Sequence, residues 1–294
     1  MARVRLSRRR TVALAPAARK GHIGSMSKAP TYALLRDRAL VAVSGTDWRA
    51  FLQGQLTQDV ATLAVGELRF GALLSPQGWL LFDLMILGRA DGCWIEVPAD
   101  RRDAFIARLT MYRLRAKVEI VAQAGPVVAL WDTGRPESGF ATDPRLPALG
   151  LRGYGDVEPT GLRADAAAWT AHRLALGVPD TADYGDDKTY PIEANFDLLN
   201  GIDFKKGCFV GQETTSRMKR RGQIRSRMLP ITFNGPPPAF GAEVLAGDLR
   251  AGQVLSGIDG RAMALLRLDR SEGATLTVEG RPVTVERPGW HQPD

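Results

Sequence analysis

PIEANFDLLNGIDFKKGCFVGQETTSRMK, Pro191 to Lys219, is the most informative stretch of this chain. Two lysines, Lys205 and Lys206, precede Cys208, which is flanked by Gly207 and Gly211, and the run then enters a helix start at Gln212-Glu213-Thr214. Glycine admits backbone angles that other residues resist and lets a ligand or another segment approach closely. A cysteine beside lysines and a helix N-terminus is biased towards thiolate, because both favour the anion. Cys208 is therefore a candidate functional thiol, whereas Cys93 alternates with Ile95 and Val97 on one strand face and is expected in the core.

Composition bounds the rest. The chain has 294 residues, 45% hydrophobic and 24% charged, enough for two or three domains with a sizeable core and no sign of global disorder. No apolar run reaches the ~18 residues of a membrane span. With two cysteines there is no disulfide framework, so a reducing, cytoplasm-like compartment is the expectation. Eight basic residues and no acidic ones fall within residues 1–28; against a net charge of +7, the other 266 residues carry −1. The body is thus nearly neutral, which argues against nucleic acid as a partner. The tail reads as a disordered extension that is an organelle-targeting segment, a nucleic-acid arm, or sequence ahead of a second start at Met26.

Alternation and turn signals place strands at 39–43, 67–74, 79–87, 93–97, 117–121, 126–131 and 149–154. Helices are expected at 48–55, capped by Ser44 or Thr46, after 98–100 with Phe105, Leu109 and Tyr112 on one face, and over 163–176, ended by Gly177 and Pro179. Beyond Asn234-Gly235-Pro236-Pro237-Pro238, short strands at 243–246, 252–258, 261–268, 274–279 and 281–287 read as a small all-β barrel or sandwich. The fold class is α+β, two similar α/β halves followed by a C-terminal β-barrel. The expected units are 1–28, 29–228 and 229–294.

The octet K-G-C-F-V-G-Q-E at 206–213, with P-I-E-A at 191–194 and N-G-I-D-F at 200–204, resembles the signature of the YgfZ family, folate-binding proteins related to the T-protein (aminomethyltransferase) of glycine cleavage. The runs F-L-Q-G-Q-L-T-Q-D-V (51–60), L-S-P-Q-G (74–78) and R-L-A-L-G-V-P (173–179) also stand where that family has similar ones. The resemblance implies a tetrahydrofolate-binding protein that assists assembly or repair of iron–sulfur enzymes, with Cys208 as the thiol. It implies that Glu193 meets the 2-amino-pyrimidinone edge of the pterin, a geometry two carboxylate oxygens suit. Asp59, Arg173, Lys206, Gln212, Glu213 and Arg217 are the further folate contacts it implies.

In T-protein relatives the hairpin equivalent to 79–87 carries two successive aspartates, the second catalytic; here they read Phe82 and Asp83. A folate-dependent aminomethyl- or methyltransferase using Asp83 therefore stays open, as does a thiol enzyme with Cys208 as nucleophile and His172 as a spatial partner. The basic run Arg217, Lys219, Arg220, Arg221, Arg225 and Arg227 is expected to form a rim for the folate glutamate tail. Three scattered histidines and two cysteines offer no metal-binding spacing, and one chain cannot supply four thiolates to a cluster.

Overall fold

The computed structural model describes residues 29–184, 188–222 and 224–292; the expected basic extension at 1–28 lies outside them. The chain opens with β1 (Thr31–Leu34), β2 (Arg38–Ser44), α1 (Trp48–Gln55), β3 (Leu68–Leu74), β4 (Leu80–Gly88), β5 (Gly92–Pro98), α2 (Arg102–Arg113) and β6 (Glu119–Gln123). There follow β7 (Val127–Trp131), β8 (Phe140–Thr142), β9 (Leu151–Tyr154), β10 (Leu162–Ala164), α3 (Ala166–Ala175), α4 (Thr181–Tyr184) and α5 (Gln212–Arg221).

The first sheet is antiparallel, in the order β3-β4-β5-β2-β6. It is covered on both faces, which is why its strands are apolar nearly throughout. Val41, Val43, Phe82, Leu84, Ile86 and Ile95 pack beneath Leu52 of α1 and Phe105 and Leu109 of α2. From the opposite face Leu40, Phe70, Ala72 and Met85 join Ala33, Val127, Ala129 and Trp131 of the second sheet, ordered β10-β1-β7-β9-β8. Cys93 is buried as expected. The N-cap position of α1 is Asp47 rather than Ser44 or Thr46, and it makes no side-chain cap; its carboxylate instead accepts from the Lys117 amide at 2.8 Å. Of the residues expected on one face of α2, Phe105 and Leu109 are buried and Tyr112 is exposed.

Strands β11 (Ser226–Thr232), β12 (Glu243–Ala246), β13 (Leu249–Ile258), β14 (Arg261–Arg267), β15 (Leu276–Val278) and β16 (Arg281–Val285) close into an antiparallel barrel ordered β11-β14-β13-β12-β15-β16. Its interior is filled by small and branched side chains, among them Ile231, Val254, Ala264 and Val278. Met228, Leu255 and Met263 turn outward and join the core between the two sheets. The barrel is thus welded to the body by burial.

Candidate functional site

The loop carrying Cys208 is built from local turns and pinned from below. Asp203 accepts the amides of Lys205 (2.7 Å) and Lys206 (3.2 Å), an Asx-type turn. Phe209 is buried against the main core, while Gly207 and Cys208 on the same loop are exposed. Beneath the loop, the Thr57 hydroxyl donates to Gly201 O at 2.6 Å and accepts the Ala72 amide at 2.8 Å. The Gln58 side chain donates to Asn200 O at 2.7 Å.

Lys206 points into this floor, its ammonium donating to the carbonyls of Gln53, Leu56 and Gln58 at 2.6–2.9 Å. Burial pulls its pKa down to about 8, with Asp59 and Asp203 opposing that fall. The expected alliance of Cys208 with both lysines is therefore changed: the Lys206 charge serves the end of α1, and Lys205 is exposed.

Helix α5 starts where two glycines let backbones touch. Gly211 has φ 81°, and a Cβ there would lie 2.6 Å from Ser75 O; a Cβ on Gly78 would lie 2.9 Å from the Thr214 Cβ. The β3–β4 turn therefore nests against the first turn of α5, which carries Gln212 and Glu213, with Arg217 one turn on and exposed. From that turn Trp79 stacks on Tyr190 (centroids 4.0 Å apart), and the Tyr190 amide donates to Glu193 Oε2 at 3.2 Å. Oε1 takes no bond from the described residues. Burial raises the Glu193 pKa, with the Tyr190 amide acting in the other direction.

The remaining expected residues fall elsewhere. Asp83 is 4% exposed and faces inward, both oxygens held by Arg38 (3.2 and 3.0 Å) and one by the Thr181 hydroxyl (2.8 Å). Asp59 organises its own loop, bonded to Thr62 and the Ala61 amide and paired with Arg69 at 3.3 Å. Burial raises its pKa, but those hydrogen bonds outweigh it and leave the carboxylate below its ordinary value. Arg173 is buried at the barrel contact, donating to Asp183 (2.7 Å) and to Ser256 of β13 (2.8 Å), so its donors are committed within that contact. Arg227 does not belong to the expected rim either. It is buried in a two-pronged pair with Asp197 (2.5 and 2.9 Å), because β11 carries it into the core. His172 lies against the rings of Trp131 and Trp169 on α3.

Sequence reasoning missed the buried ionic network that links the two sheets. Arg38 and Arg152 share Glu96, which also accepts from Tyr154; Arg145 and Arg152 share Asp143. Burial would raise the Asp143 pKa, yet the two guanidiniums hold it below the usual carboxylate range. The available signal was a charge inside an apolar strand, Glu96 in C-W-I-E-V and Arg152 in L-R-G-Y, since such charges must be paired.

Comparisons with known proteins agree with this architecture. Residues 225–293 match the family model for the CAF17 C-terminal beta-barrel domain. The iron-sulfur cluster assembly factor IBA57 homolog of Mycosarcoma maydis is 32% identical, the match covering 69% of this chain and 58% of that protein. That of Neurospora crassa is matched over 55% of its length, so this chain spans little more than half of these two relatives. The homolog of Pyricularia oryzae is 30% identical over 88% of this chain and 76% of its own, and the mouse factor 28% identical over 87% and 84%. Among solved structures, the glycine cleavage system aminomethyltransferase T of Bartonella henselae superposes with a TM-score of 0.70 over 89% of this chain and 86% of that one, at 19% identity, which speaks for the fold. With a GcvT-like body, a matching C-terminal barrel and relatives at this identity and coverage, the chain belongs to the YgfZ/IBA57 family, whose IBA57 members are named iron-sulfur cluster assembly factors.

Proposed function

We propose that this protein takes part in iron–sulfur cluster assembly, with tetrahydrofolate bound near Glu193 and Cys208 as the working thiol. The observation that carries the reading is the exposed Cys208 on a pinned loop, in a chain whose relatives are named assembly factors. Cys93 is buried, so Cys208 is the one thiol of the chain open to a partner or substrate. A cluster touched by it as cargo draws its other ligands from a second molecule.

The donor set fits folate at one end. Glu193 is half-buried; its Oε2 accepts the Tyr190 amide and its Oε1 takes no bond from the described residues, so lone pairs on both oxygens remain for the N–H groups of a pterin edge, and the Trp79–Tyr190 stack stands beside it. The exposed Arg217 and Arg220 offer charge to a glutamate tail. Tetrahydrofolate, when bound, would supply a one-carbon unit held at N5 or N10, or the reducing equivalents of its reduced pterin ring. The chain's own share is to hold the pterin edge at Glu193 and to present the thiol. Asp83 speaks against the transferase alternative, since its carboxylate is engaged by Arg38 and Thr181.

Clients are proposed to be iron–sulfur enzymes or their assembly partners. The names of the relatives include the word mitochondrial, which favours an organellar matrix over the cytoplasm for this chain too. Among the described residues no helix is long and apolar enough to cross a membrane. Calorimetric titration with tetrahydrofolate tests the folate half of the proposal: saturable binding supports it, and absence of heat at high protein concentration removes it.

A further inference from the structure

The stretch Gln53–Gln58 and the committed ammonium of Lys206 do more than floor the loop. They belong together. An ammonium has three N–H donors, and those of Lys206 meet three carbonyls, Gln53 O at 2.8 Å, Leu56 O at 2.6 Å and Gln58 O at 2.9 Å. These acceptors cluster at the C-terminal end of α1, where carbonyls lack intrahelical partners and the helix dipole is negative. Four more bonds join the same two segments. The Val210 amide donates to Gly54 O (3.2 Å), the Asp203 amide to Thr57 O (3.0 Å), Thr57 Oγ1 to Gly201 O (2.6 Å) and Gln58 Nε2 to Asn200 O (2.7 Å). Cys208 lies between the Lys206 and Val210 attachments, so its position is set from both sides.

We infer that Lys206 is a positioning residue for Cys208: its ammonium clasps the thiol-bearing loop onto the end of α1, and Gln53–Gln58 form the socket. With its donors consumed, Lys206 has none left for a folate carboxylate. The value of the clasp to the cell rests on the proposed role of Cys208, while the clasp itself is tested without it.

The test uses the full chain with Lys206→Arg, Lys206→Gln and Lys206→Met, a nitroxide attached to Cys208, and amide exchange at Asp203 and Val210. Donor number decides the outcome. Exchange at both amides should speed up by roughly tenfold in the Met variant and less in the Gln variant, which keeps two donors. The nitroxide spectrum should narrow in the same order, at temperatures where all variants remain folded. Arginine keeps the charge but presents a planar fork that cannot serve three carbonyls around a helix end, so it should not restore protection. Unchanged exchange in the Met variant overturns the clasp. So does tetrahydrofolate affinity that is lost with Met and regained with Arg, since charge and not donor geometry would then be what matters. If Met unfolds the protein, the Gln variant gives the same reading. A functional Cys208→Ser protein would refute the role of the thiol yet leave the exchange result standing, so the two failures are distinct.

Discussion

Burial separates the two cysteines of this chain in accessibility. Cys93 is 1% exposed on β5, and loss of solvation, only partly offset by Arg49, pushes its thiol up to about 12. Cys208 stands in solvent. A small alkylating agent near neutral pH should therefore modify Cys208 alone in the native protein, and mass spectrometry should find both cysteines labelled only after denaturation. Glu193 makes a second prediction, with opposite signs for function and stability. Because burial raises its pKa from 4.5, the folded protein binds the proton more tightly than the unfolded chain, and its contribution to stability is lost as pH climbs through the raised value. Glu193→Gln should thus leave the melting temperature at pH 7 unchanged or higher. It should weaken tetrahydrofolate binding by roughly 1.5–3 kcal/mol, the range for a hydrogen bond to a charged group. Unaltered affinity would remove Glu193 from the pterin site.

At the scale of elements, the junction of α5 with the β3–β4 turn depends on Gly211. An added methyl there meets Ser75 O at 2.6 Å and also has to adopt φ 81°. Gly211→Ala should cost about 1–3 kcal/mol for the strained backbone alone, read as a lower urea midpoint, and should reduce the helical signal of α5. The strands β2 to β5 and the barrel were legible because apolar residues and turn signals repeat at the period of a strand. Strands β1, β8 and β10 have three or four residues each and no such period; hydrogen bonds from β7 and β9, and pairing of β10 with β1, make them strands. The site divides the same way. Cys208, Gln212 and Glu213 are local to one motif, and their common placement follows from it. The partners of Lys206 lie about 150 positions away in the chain, and Ser256, which Arg173 meets on β13, lies 83 positions on. Nothing local in the sequence marks such contacts.

Across the whole molecule, the ionic network ties both sheets and the barrel into one structure. Arg173 joins α3 to Asp183 and to Ser256 of the barrel within a buried contact. Arg173→Ala leaves Asp183 as an uncompensated buried charge and should cost roughly 3–5 kcal/mol. A two-step melting curve, with the barrel released first, would locate that cost at the contact. The pH dependence follows from carboxylates held low. Asp143 is pushed up by burial, but Arg145 and Arg152 more than reverse this, so its contribution is full above its unfolded value of 3.8 and disappears as pH falls through the lower folded one. Stability to urea should be nearly flat through neutral pH and decline steeply below about pH 4.

The proposed working group in iron–sulfur assembly is the exposed thiol of Cys208 and not the paired carboxylate of Asp83. The most direct measurement is the activity of iron–sulfur enzymes in cells lacking the native protein and supplied with Cys208→Ser. The substitution replaces one exposed sulfur and leaves the loop anchors intact, so the variant should accumulate and melt like the parent. Enzyme activity near that of the empty control is expected; activity equal to that given by the parent chain would rule Cys208 out as the working thiol.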